Sequence, residues 1–466
     1  MTEVGAHGNP LRVAIIGAGP SAFYAADHLF RQDALAVEVD MFDRMPTPYG
    51  LVRFGVAPDH QKIKTITRAF GEVAADPRFR FYGCIEFGRD LTLDDIRAHY
   101  HQVLFATGAQ TDRHMEIPGE DLVGSHPATA FVAWYNGHPD YRDHNFDLSQ
   151  ESAVVVGMGN VAMDVARILC LTPGELAASD MAPHAVEALS RSRVREVHMI
   201  GRRGPAQAAF TTPELKELGG LADADVVVDP AEAALDPLSE AFVERSDERV
   251  LARKVQLVQS FAAREPVGRT RRLRLRFLVS PVELVGDELG GVASVRMVRN
   301  VLKSTDSGTL SPEPTGEFES IPAGLVFRSV GYRGVPVLGV PFHERWGVIL
   351  NEHGRVLDSA TNGALPGEYA TGWIKRGPSG VIGTNKPDSF ETVAAMLDDA
   401  TIGRTFAPTA PDRAAAEALI RSRQPCYFTF EDWLHLDSLE LEAGNRCGRP
   451  RVKFTSVEEM LVALGR

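Results

Sequence analysis

Residues 12–22 read RVAIIGAGPSA, an apolar, β-branched run that passes at once into Gly17, Gly19 and Ala22 and then into a helix-forming stretch from Ser21 to Phe30. A G-x-G-x-x-G/A pattern in this setting predicts a buried parallel strand, a tight turn and a helix whose N-terminus faces a pyrophosphate. Gly17 permits the turn, Gly19 lets backbone approach the phosphates, and the small Ala22 allows helix and strand to pack closely. An anion is favoured there because the first amides of a helix lack partners and its dipole is positive at that end. A second strand, VEVDMFD, ends at Asp43, an acid placed to accept hydrogen bonds from a ribose. Asp43 lies farther from Gly17 than the usual spacing of about 20 residues, which predicts a longer helix or loop between them.

Residues 153–166, AVVVGMGNVAMDVA, repeat the arrangement with Gly157, Gly159 and Ala162. The strand that follows, REVHMIGRR, ends in Gly201, Arg202 and Arg203 where an NAD-binding unit places an acid. A guanidinium there suits the 2′-phosphate of NADP, which a carboxylate would repel. Two such units in one chain most economically mean FAD in the first and NADPH in the second. The segments VLFATGA (Val103 to Ala109) and EYATGWI (Glu368 to Ile374) agree, since strands ending in Thr-Gly are typical of proteins that bind two dinucleotides.

At 466 residues the chain is about three domain-lengths, with 44% apolar and 24% charged residues, the composition of an ordinary globular protein. Its 49 Lys and Arg against 62 Asp and Glu leave a net charge of −13, which argues against a dedicated nucleic-acid binder. The four cysteines, Cys84, Cys170, Cys426 and Cys447, form no C-x-x-C pair. A dithiol centre, a chain-local iron–sulfur cluster and a zinc ribbon are therefore not expected, and no metal site is. No charged and apolar leader opens the sequence, and no run of 18 apolar residues occurs. A cytosolic location with no membrane association is expected.

The combination of GAGPSA, PTPYGLVRFGVAPDH (Pro46 to His60), GNVAMDVARIL (Gly159 to Leu169), GRRGPAQAAFTTPEL (Gly201 to Leu215), RSVGYRG (Arg328 to Gly334) and GWIKRGPSGVIGTNK (Gly372 to Lys386) resembles the adrenodoxin-reductase-like ferredoxin–NADP reductases. The resemblance spans nearly the whole chain and is greatest to the actinobacterial members. It implies an α/β fold of two Rossmann-like dinucleotide-binding domains, with the NADPH domain inserted in a discontinuous FAD domain. The expected boundaries are residues 1–111 and 327–466 for the FAD domain, the latter including a C-terminal extension, and 112–326 for the NADPH domain.

The resemblance further implies flavin contacts at Ser21, Asp43, Leu51, Phe87, Trp373, Gly380, Val381 and Ile382. For NADPH it implies Arg113, Met158, Gly159, Asn160, Val161, Arg202, Arg203, Glu214 and again Gly380. Asp43 departs from the family, in which a longer Glu is common. Hydride transfer between nicotinamide and flavin is chemistry of the cofactors, so the protein supplies orientation, dryness and electrostatics. Glycines ahead of the helix predicted within GPSGVIGTNKPDSFETVAAML suit stabilisation of charge on a reduced flavin. His60 and Glu214 are the ionisable candidates, matching family residues that orient the nicotinamide or handle a proton.

Electrons must then leave the flavin. Between Arg249 and Arg276 lie nine basic residues and one acid, Glu265. Strand alternation within RRLRLRFL predicts Arg272, Arg274 and Arg276 on one face, with Leu273, Leu275 and Phe277 on the other. Such a basic face suits a separate acidic ferredoxin, steered electrostatically. Residues 404–466 predict helical packing with Ser456 and Glu459 as a capping box. The chain thus reads as an NADPH-dependent FAD oxidoreductase that passes single electrons to a ferredoxin. The competing readings are a flavin monooxygenase and a non-enzymatic flavoprotein subunit.

Overall fold

The computed structural model describes residues 3–246, 249–306 and 308–466. The chain divides into two compact units, one formed by residues through 111, 332–447 and 454–466, the other by 112–331 and 448–453. The second is thus an insertion in a discontinuous first, but against the expected boundary at 327 the first resumes at 332 and gives 448–453 to the second.

In the first unit, Leu11–Ile16 is fully buried at the middle of a seven-stranded sheet. An uninterrupted apolar strand of this kind needs both faces covered, which is the environment of a parallel α/β sheet. Its one charge, Arg12, pairs with buried Asp40 at 3.2 Å. Val37–Asp43 and Phe79–Gly83 follow on one side, and Gln102–Phe105 and Ala364–Ala370 on the other, all parallel. The short strands Arg355–Leu357 and Asn351–Glu352 close that edge antiparallel. Pro20–Arg31 is a helix with proline at its first turn, where no amide partner is lost. It buries Ala22, Phe23, Ala25, Ala26 and Leu29. This 12-residue helix and the loop 32–36 account for the long interval before Asp43.

The second unit has a six-stranded parallel sheet in the order Ser125–Pro127, Leu325–Arg328, Ser152–Val156, Glu196–Ile200, Arg271–Arg276, Ala224–Val228. Helix Asn160–Cys170 follows Ser152–Val156 as Pro20–Arg31 follows Leu11–Ile16. A three-stranded antiparallel sheet, Val279–Gly286, Val292–Ser304 and Leu310–Pro322, is added to it. Among the described residues, no helix is long and apolar enough to cross a membrane.

The C-terminal extension does more than pack. Helix Phe430–Arg446 carries Glu440, fully buried, whose two oxygens accept from Arg53 Nη1 at 2.9 Å and Nη2 at 2.5 Å. Arg53 also lies 4.9 Å from the Trp433 ring centroid, a cation–π distance. Segment 448–453 belongs to the second unit, where Lys453 pairs with Asp180 at 3.2 Å, both side chains 2% exposed. The expected capping box at Ser456 forms by half: Ser456 Oγ accepts from the Glu459 amide, but the Glu459 carboxylate accepts from Thr455 N at 3.2 Å.

His101 Nδ1 accepts from the Arg12 amide at 3.0 Å, so its ring must be neutral. Burial holds His101, His126 and His198 down to about 4. A base with a depressed folded pKa contributes stability above its unfolded value, lost as pH falls. The melting temperature is therefore expected to drop between pH 6.5 and 4, and His101→Gln should flatten that slope; an unchanged slope would refute the assignment. Glu440→Gln leaves a buried guanidinium undercompensated, at a cost of about 3 kcal/mol in thermal or urea unfolding. The double variant Arg53→Met with Glu440→Gln should recover most of it, because the amide oxygen still accepts from Phe454 N.

Candidate functional site

Both glycine loops are built the same way. Gly17 has φ +104°, and a Cβ there would meet the Ala106 carbonyl oxygen at 2.5 Å. Gly157 has φ +139°, and its Cβ would meet the Ser329 oxygen at 2.2 Å. In each case the chain turns against the end of the neighbouring strand, so only glycine fits. Gly19 and Gly159, the N-cap residues of the two helices, are extended, and a Cβ on either meets nothing within 4 Å. Each helix therefore begins beneath open space, the geometry a dinucleotide pyrophosphate requires. Ala22 and Ala162 are fully buried beneath these turns.

In the first unit, Asp43 closes on its own loop. Its Oδ2 accepts from Ala18 N at 2.7 Å and its Oδ1 from Met45 N at 2.8 Å. Burial pushes its carboxyl above the usual carboxylate range despite those bonds. The chain next turns through Tyr49 and Gly50, both at positive φ, and a Cβ on Gly50 would sit 3.0 Å from Gly19 Cα. Leu51 thus opens its short helix beside the glycine loop. Gly372, φ +74°, presses on buried Ser21: a Cβ there would meet Ser21 Oγ at 2.5 Å. Trp373 follows as the first residue of helix Trp373–Arg376. Its indole Nε1 donates to Ser379 O at 3.1 Å, and Arg376 Nη1 donates to the same oxygen at 2.7 Å. These bonds hold the turn that leads to Gly380, Val381 and Ile382, ahead of helix Asn385–Thr401. Phe87 instead packs edge-on against Phe105, 5.5 Å between centroids, and lines a recess with Leu93, Arg97 and Leu338.

In the second unit, Met158 O accepts from Ala209 N and Phe210 N at 2.9 and 2.8 Å, and Asn160 Oδ1 accepts from Thr211 N at 2.9 Å. The segment after the arginines is thereby folded back onto the Gly157–Val161 loop. Arg202 and Arg203 are exposed, and among the described residues no carboxylate pairs with either. Desolvation and the like charge of Arg202 hold Arg203 below the usual guanidinium range. Arg113 is also exposed, and its amide donates to Gly331 O at 2.8 Å, two residues beyond the Ser329 that packs on Gly157. Glu214 lies in the first turn of helix Thr212–Leu218 in this unit, whereas His60 caps helix Gln61–Lys64 in the other.

The predicted basic docking face requires correction. Arg271–Arg276 does alternate, with Leu273, Leu275 and Phe277 fully buried. It is, however, an internal strand, and Arg272, Arg274 and Arg276 are ion-paired within the fold. Arg272 and Arg274 share Glu196 at 2.8 and 3.0 Å, while Arg276 binds Glu232 at 2.8 Å and Glu319 at 2.7 Å. A charge run in sequence does not reveal carboxylates that the fold brings from residues 43 to 78 positions away. Sequence reasoning also passed over Lys375, Asp388 and Ser389, which support the Gly372 turn; their signal was only a polar cluster at a helix start.

A family model described as pyridine nucleotide-disulphide oxidoreductase matches residues 11–205. The NADPH-ferredoxin reductase FprA of Mycobacterium tuberculosis is 46% identical over 465 residues, covering 98% of this chain and 100% of that one. The human mitochondrial NADPH:adrenodoxin oxidoreductase is 40% identical over 460 residues, covering 97% and 92%. A solved structure of the Mycobacterium tuberculosis FprA in complex with NADPH superposes with a TM-score of 0.92 at 46% identity, covering 98% of this chain and 100% of that one. With two glycine loops, an inserted second unit and full-length identity of this order, the chain belongs to the adrenodoxin-reductase-like family of ferredoxin–NADP reductases.

Proposed function

We propose that this chain is an NADPH-dependent FAD oxidoreductase that delivers single electrons to a ferredoxin. The observation that carries the reading is an asymmetry between two otherwise alike loops. The first ends its second strand in Asp43, and the second ends it in Arg202 and Arg203, which have no described carboxylate partner. When bound, the two dinucleotides supply hydride transfer and its division into single electrons.

The chain's own residues bind and orient. Gly17, Gly19, Ser21 and Ala22 would hold the FAD pyrophosphate, and Asp43, with lone pairs left on both oxygens, its ribose. Leu51, Trp373, Gly380, Val381 and Ile382 would flank the flavin, and Phe87 is carried over from the family resemblance. Gly157, Met158, Gly159, Asn160 and Val161 would hold the NADPH pyrophosphate, with Arg113, Arg202 and Arg203 on its phosphates. His60 and Glu214 are proposed, on the resemblance, to orient the nicotinamide or hold a proton.

The partner is read as a separate, acidic iron–sulfur protein. Of the nine basic residues between Arg249 and Arg276, support now comes from Arg249 and Arg253, one turn apart on helix Arg249–Ala262, both exposed and without a described carboxylate partner. A cytosolic setting belongs to the same reading, supported by four cysteines that are all unpaired.

Anaerobic stopped-flow mixing with NADPH should bleach the flavin, and a second mix with oxidised ferredoxin should restore it with salt-sensitive kinetics. An oxygen adduct without transfer to any ferredoxin would favour a monooxygenase instead. Arg202→Ala with Arg203→Ala should raise the NADPH Michaelis constant by about tenfold or more and the NADH constant by less than about twofold; equal effects on both would defeat the 2′-phosphate assignment. Arg249→Ala with Arg253→Ala should slow ferredoxin reduction and weaken its salt dependence while leaving bleaching unchanged. Arg272→Ala with Arg274→Ala should leave that salt dependence nearly intact; the opposite ranking would return the docking role to the strand.

A further inference from the structure

The Gly372–Trp373 turn is held by a polar assembly whose members lie in neither glycine fingerprint. Asp388, in the first turn of helix Asn385–Thr401, directs its carboxylate back onto this turn. Its Oδ2 accepts from Gly372 N at 2.6 Å and from Thr371 Oγ1 at 3.3 Å, and its Oδ1 pairs with Lys375 Nζ at 3.1 Å. The Asp388 and Lys375 side chains are 8% and 7% exposed. Lys375 has a second partner in Glu391, at 2.5 Å, which is itself half-exposed. Next to Asp388, Ser389 Oγ donates to Ser21 O at 2.9 Å and accepts from Thr371 Oγ1 at 3.1 Å.

This network joins two parts of the site that are far apart in sequence. Ser21 stands in the first turn of the helix beneath the pyrophosphate loop, and Gly372 is pressed against it with room for no side chain. A buried carboxylate persists only when its charge is compensated and its lone pairs are filled; here Lys375, Arg376 with its Nε 3.6 Å from Oδ1, one backbone amide and one hydroxyl do both. The bond to the Gly372 amide is charge-assisted, so it holds the peptide entering Trp373 more tightly than a neutral acceptor would. A glycine at positive φ has the most conformational freedom to lose, and this acceptor restricts it.

We propose that Asp388 is a positioning residue for the flavin. It sets the Gly372–Trp373 peptide against Ser21, so that the segments assigned to the flavin ring and to the pyrophosphate move as one body. Lys375 keeps its buried charge compensated. The inference rests on the FAD reading of the first unit.

The test uses the purified full-length holoenzyme and three readouts: the rate of FAD release, the absorption spectrum of the bound flavin, and the melting temperature of the apoprotein. Asp388→Asn is expected to speed FAD release at least about tenfold and to shift the flavin spectrum. Adding Lys375→Met should bring release back to within about threefold of wild type, because the amide oxygen still accepts from Gly372 N and no ammonium is left undercompensated. Asp388→Ala with Lys375→Met should not recover, since nothing then accepts from that amide. Throughout, the apoprotein melting temperature should stay within about 4 °C of wild type. Wild-type FAD retention and spectrum in Asp388→Ala with Lys375→Met would overturn the positioning role. Loss of flavin only in proportion to apoprotein destabilisation would overturn it equally, as a purely structural contribution. A wild-type chain that binds no FAD would instead overturn the reading of the first unit, and the two failures are thereby distinct.

Discussion

A glycine turned to positive φ against the carbonyl at the end of the next strand is the contact on which the rest of this architecture depends. Gly17 makes it with Ala106 and Gly157 with Ser329. Any Cβ would push strand and turn apart, and the helix that follows could not begin where it does. With the contact made, Gly19 and Gly159 cap helices over open space, and in the first unit Asp43, at the end of the next strand, accepts from the loop amide of Ala18. In an open parallel sheet this end collects the function, because loops there are free to vary while the strands below are held by packing on both faces.

Charge in this protein is sorted by whether the fold supplies a partner. In the most basic stretch, Arg271–Arg276, which lies inside a sheet, Arg272, Arg274 and Arg276 pair with Glu196, Glu232 and Glu319. The shorter pair Arg202–Arg203 has no described carboxylate partner and lies at a strand end beside a glycine loop. Desolvating a guanidinium without an anion is costly, and Arg202 and Arg203 both remain exposed. Whether a basic residue is left without an acid partner is therefore decided by the fold, and local density of positive charge is a poor guide to it.

The C-terminal extension shows how a packing element acquires a structural role in the site. Glu440 reaches Arg53, which follows the Gly50 turn that touches Gly19. The same residue accepts from Phe454 N at 2.9 Å, where the chain returns to the first unit after segment 448–453. One buried carboxylate thus links the C-terminal extension to the turn beside the first glycine loop.

The strand–glycine–helix units, the alternation in RRLRLRFL, the Thr-Gly strand ends and the inserted arrangement were all legible in the amino-acid sequence, the last through family resemblance. Local pattern suffices there, because backbone sterics at glycine and the period of side chains along a strand depend on neighbours a few residues away. The sequence also placed the arginine pair, since the residue after the second strand is set by that same local frame. The tertiary structure alone decided the partners of each charge. Asp388 on Gly372 and Lys375, Glu440 on Arg53, and Glu196 on Arg272 and Arg274 are contacts made by folding. Their energy depends on burial and on distances of a few ångströms between segments as much as 387 residues apart, and no spacing along the chain encodes those distances.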